Sequence, residues 1–86
     1  MSATVLKGPG GIRLEIDPND DATPAMVYSA DGRHSSTYDC ALDTGYIDDA
    51  IGLTQKQSDW LEEFRSVVDQ AFDEARSTHD RAKHAP

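Results

Sequence analysis

The chain has 86 residues, 37% of them hydrophobic and 28% charged, and a formal net charge of −8. That length makes one domain, burying about 60–65% of the surface its unfolded chain would expose, too little for a deep, walled-off catalytic pocket. One cysteine excludes an internal disulfide framework, no apolar run approaches the roughly 18–20 residues of a membrane span, and "MSATVLKGPGG" lacks the apolar core of a signal peptide, so the expected setting is a reducing cytoplasm.

Up to about Gly52, short alternating segments are separated by turn residues; beyond it the period is helical. In "GIRLEIDP", Ile12, Leu14 and Ile16 alternate with Arg13 and Glu15, and Pro18 closes the run because it has no amide hydrogen for a ladder. "TVLK" precedes it across the glycine-rich "GPGG", which predicts a hairpin of strands over 3–7 and 11–17. A second hairpin, 25–29 with 34–43, follows from "AMVYS" and "HSSTYDCAL" around "ADGR", where Asp31-Gly32 suits a type I′ turn. In that reading Tyr38, Cys40 and Leu42 share the apolar face of a strand, and Thr37, Asp39, Ala41 and Asp43 the other. Cys40 is then a small buried hydrophobe, its sequence neighbours being carboxylates that disfavour a thiolate.

Thr54 followed by Gln57 has the capping-box spacing and starts a helix predicted over 55–78. Trp60, Leu61, Phe64, Val67, Val68, Ala71, Phe72 and Ala75 recur at steps of three and four and form its apolar stripe. Arg76, His79, Arg81, Lys83 and His84 complement the negative end of the helix dipole, and residues 79–86 are expected to fray as a basic tail. The predicted fold is therefore α+β: a four-stranded antiparallel meander of two hairpins, packed by one long C-terminal helix, forming a single domain over 1–78.

No constellation carries a catalytic or cofactor reading. "DPNDD", Asp17 to Asp21, opens like a calcium loop, but Ala22 and Tyr28 stand where that loop needs glycine and glutamate. His34, His79, His84 and Cys40 fall into no zinc-ligand spacing. His34 lies six residues from Cys40, roughly 20 Å along an extended strand, beyond reach of a shared reaction. No enzyme, cofactor or metal is expected.

Charge is distributed unevenly. Residues 15–74 hold fifteen acidic side chains against Arg33, Lys56 and Arg65, whereas both ends are basic. Such a body disfavours direct binding to nucleic acid or to anionic lipid. It suits a larger protein with a basic surface, such as a nucleic-acid-binding complex, and Asp39, Asp43, Asp48, Asp49, Glu62, Glu63, Asp69 and Asp73 are the carboxylates expected to meet it. By size and charge the chain resembles the class of small acidic phage proteins that block host nucleic-acid machinery, anti-CRISPR proteins and DNA mimics among them. That resemblance implies an inhibitor or adaptor and transfers no residue. The alternative is a structural or assembly module that forms a homodimer or docks through the helix, with Phe72 and Ala75 on an overhanging end.

Overall fold

The structure, a computed structural model, describes residues 4–20 and 23–84, with side chains described as far as Arg76. The α+β architecture and the four-stranded antiparallel meander are as the alternation predicts. Strands β1 (Thr4–Lys7), β2 (Arg13–Ile16), β3 (Ala25–Tyr28) and β4 (Ser35–Thr37) pair in chain order. Leu6 stands opposite Leu14, and Leu14 opposite Val27, so the apolar residues of three strands fall on one face. Leu14 and Val27 are fully buried, with Ile12, Ile16 and Ala25 around them.

The first hairpin closes through a 3-10 turn over Pro9–Gly11. Gly8 is required by contact: a Cβ there would stand 2.6 Å from the Trp60 ring. The β3–β4 loop is not the type I′ turn that Asp31-Gly32 suggests, because Gly32 has a positive φ (74°) and Asp31 does not. Asp31 instead accepts from the Ser29 hydroxyl and the Arg33 N–H, and these bonds hold its carboxyl below the ordinary value.

The segment 34–43 departs most from its predicted form. Only Ser35–Thr37 is strand; Tyr38–Thr44 is helix α1. Thr37 caps it, its hydroxyl accepting from the Cys40 N–H, and Gly45 ends it in the left-handed conformation (φ 75°) with its N–H on the Ala41 carbonyl. Helical spacing turns Tyr38 and Ala41 into the core and leaves Cys40 exposed, correcting its expected burial. A two-stranded hairpin follows, β5 (Tyr46–Ile47) with β6 (Ile51–Gly52), where no strand was predicted. Its turn holds the pair of positive φ values that a type I′ turn needs, at Asp48 (56°) and Asp49 (59°).

The predicted helix over 55–78 is two helices, α2 (Gln55–Glu62) and α3 (Arg65–His84). Its start is as read: the Thr54 hydroxyl accepts from the Gln57 N–H at 3.1 Å, and Gln57 Oε1 accepts from the Thr54 N–H at 2.9 Å. Gln57 Nε2 also donates to the Pro9 carbonyl at 3.0 Å, binding the helix to the first hairpin. At the break the Phe64 N–H reaches back only to Leu61, a tighter 3-10 bond, before Val68 resumes the helical spacing on Phe64. The break reorients the stripe. Leu61, Val68, Ala71 and Ala75 are buried, Phe64 and Phe72 are partly buried, and Val67 is 47% exposed. Phe72 packs on the chain's own core and Ala75 is buried, so neither overhangs. Helix α3 continues to His84 through the segment expected to fray; side chains of 77–86 lie outside the described residues.

Candidate functional site

Helix α1 meets the α2–α3 junction at Tyr38, the first residue of α1 and fully buried. Its hydroxyl donates to the Leu61 carbonyl, in the last turn of α2, which also accepts from the Phe64 N–H. Burial pushes this phenol up from 10.0 to about 12. The Arg65 guanidinium pulls it down, while the carboxylates of Glu62, Asp69 and Asp39 push it further up. Tyr38 thus feels acidic groups from α1, α2 and α3 together.

Arg65, the first residue of α3, lies over the Tyr38 ring at 5.4 Å from its centroid. It reaches Asp39 at 3.2 Å and Glu62 at 3.8 Å. Around it opens a cleft of about 520 Å³ lined by Asp39, Cys40, Leu42, Asp43, Glu62 and Arg65. Three carboxylates line the cleft with one guanidinium, and Asp43 has no ion pair among the described residues. The lining contains no imidazole to take a proton from the Cys40 thiol. What the cleft can do is ionic: it offers acceptor-only oxygens to a cationic side chain.

Among the eight carboxylates singled out in the sequence, Asp39, Asp43 and Glu62 share this cleft, and Asp69 adjoins it through Tyr38. Asp73 follows Asp69 by one turn on α3 and is exposed. Glu63 is exposed but does not line the cleft. Asp48 and Asp49 sit elsewhere, in the β5–β6 turn, where Asp48 lies 3.4 Å from His34 Nδ1. Sequence reasoning missed Tyr38 and Arg65 as the residues that organise the site. The available signal was Arg65 itself, the one cation between Asp59 and Glu74.

Among the described residues, no group of three or more His, Cys, Asp or Glu side chains is placed to hold a metal ion. The "DPNDD" loop satisfies its own carboxylates, Asp17 accepting from the Asn19 N–H and Asp20 from the Thr23 N–H, each at 3.0 Å; Asp21 and Ala22 lie outside the described residues. No described helix is long and apolar enough to cross a membrane. Neither a protein-family model, nor a curated protein, nor a solved structure matches the chain.

Proposed function

We propose that this protein is a binding module, an inhibitor or adaptor, whose α1–α2–α3 face engages a basic surface on a larger nucleic-acid-binding protein. The observation that carries this reading is the convergence of Asp39, Asp43, Glu62 and Asp69, from three separate helices, on one cleft and one buried tyrosine. Carboxylates brought together by tertiary structure repel one another, and a single arginine relieves them. A basic partner would convert that repulsion into attraction and would be steered by it during encounter. Fixed carboxylates on a rigid face would compete with phosphates for the same groove, as a DNA mimic or an anti-CRISPR-like protein does.

The test is competition. Partners captured on the immobilised protein at low salt are purified and challenged with duplex DNA. The expected result is mutual displacement, an affinity that falls as salt rises, and loss of binding in Asp43→Lys with Glu62→Lys. Simultaneous binding of DNA and this protein to the partner overturns mimicry. The helix-docking alternative predicts a contact insensitive to salt, and it is weakened by the packing of Phe72 and Ala75 on the protein's own core.

A further inference from the structure

The core lies on one face of the meander; on its other face Arg13, Glu15, Met26 and Tyr28 are half-buried. Val5, Met26 and Tyr28 point there and belong to no part of the core, and Val5 is 50% exposed. Strand register orders this face into two rows. Lys7 stands opposite Arg13, Arg13 opposite Tyr28, and Tyr28 opposite Ser35. In the neighbouring row Val5 stands opposite Glu15, Glu15 opposite Met26, and Met26 opposite Thr37.

The first row sets two cations directly across a ladder, an arrangement that opposes folding. Among the described residues neither has a carboxylate partner; the described ion pairs involve only His34 and Arg65. Arg13 is nevertheless held in place. Its guanidinium lies over the Tyr28 ring at 5.6 Å, and a Cβ on Gly32 would stand 3.2 Å from its Nη2, so the β3–β4 loop backs its far end. Its Nε is buried without a hydrogen-bond partner. A partly desolvated guanidinium fixed by packing, and not by an anion, gains more from an arriving carboxylate than a solvated one does, and loses less freedom.

We propose that this row is a docking site for an extended segment of an acidic partner protein that presents one carboxylate to Lys7 and Arg13 and, two residues along, an apolar side chain to Val5 on the edge strand. The two rows are about 6.6–6.8 Å apart along the strand, the spacing of same-face side chains in an extended peptide. Glu15 gives the site its polarity, because a second carboxylate at that spacing would lie beside it and be repelled. The same repulsion disfavours a nucleic-acid backbone, whose successive phosphates recur at a comparable distance and which needs many cations to displace its counterions. The site faces away from the acidic cleft and stands independently of it.

Titration of the ¹⁵N-labelled full chain with a capped hexapeptide carrying glutamate and leucine two residues apart tests this. Amide shifts are expected at Lys7, Arg13 and Tyr28, saturating with the peptide. Binding should weaken at least tenfold for the peptide with glutamine in place of glutamate, and equally for Arg13→Gln and for Lys7→Gln, with the remaining spectrum reporting an intact fold. Four results overturn the proposal: shifts confined to the helices, equal binding of the glutamine peptide, tighter binding of an octathymidylate at the same row, or concentration-dependent shifts of the row without ligand, which would make a second copy its occupant.

Discussion

Two arginine–tyrosine stacks stand on opposite faces of this molecule, Arg65 over Tyr38 and Arg13 over Tyr28, at nearly equal separations of 5.4 and 5.6 Å. Their surroundings differ in every other respect. Tyr38 is fully buried and its hydroxyl bonds the last turn of α2, whereas Tyr28 is half-buried on an open sheet face. Arg65 lies between two carboxylates; Arg13 faces a lysine. The same pair of side chains therefore knits helices together in one place and leaves a cation unspent in the other. Burial and neighbouring charge, not the stack itself, decide which.

The largest expected difference between them is in stability. Tyr38→Ala should cost about 3–5 kcal/mol, since it removes a buried aromatic ring and a hydrogen bond at the helix junction. Tyr28→Ala should cost about 1 kcal/mol, the scale of a half-exposed ring on an open sheet. Equal shifts in the urea midpoint would erase the distinction between an anchored face and an open one.

Alkaline titration of Tyr38 gives the next largest effect. Tyr38 ionises near 12 in the fold against 10.0 for an ordinary phenol, so between those values the unfolded state binds fewer protons than the native state. The stabilisation is complete below pH 10 and is lost as pH rises toward 12, about 2–3 kcal/mol in all at 1.36 kcal/mol per unit. Tyr38→Phe should flatten that part of the stability curve. Urea unfolding at pH 9 to 12 reads it.

Smaller effects belong to the arginines. Arg65→Gln should destabilise by about 0.5–1 kcal/mol at low salt and less at high salt, because it frees Asp39 and Glu62 to repel. Arg13→Gln should change stability by less than about 0.5 kcal/mol, the lost stack being offset by relief of Lys7 and of the unpaired Nε–H. A large loss at Arg13 would mean that the sheet face depends on its cation for folding.

Smallest of all should be Cys40, at the rim of the acidic cleft. Being exposed, it should react with a thiol reagent in the native protein without prior unfolding, and Cys40→Ser should shift stability by no more than about 0.5 kcal/mol. Labelling that waits for denaturant would return Cys40 to the core.

What the sequence determined by itself is the part whose signals are local and redundant. Strand β2 reads from Ile12, Leu14 and Ile16 with Pro18 behind them, and the start of α2 reads from Thr54 and Gln57, because alternation and capping each act within a few residues. The carboxylates of the site were legible too, as charge. "TYDCALDTG" was not, since seven residues suit either period: Tyr38 with Cys40 and Leu42 makes a strand face, Tyr38 with Ala41 and Leu42 a helix face. Thr37 and Gly45 carried the caps that favour the helix, but it was settled only when Tyr38 found the Leu61 carbonyl 23 residues away. The helix break at Glu63–Phe64, the gathering of Asp39, Asp43 and Glu62 with Arg65 in one cleft, and the separation of Asp48, beside His34, and Asp49 from them were likewise decided by tertiary structure. Each depends on which distant elements share a face, and a sequence period specifies the face an element offers without naming the element that covers it.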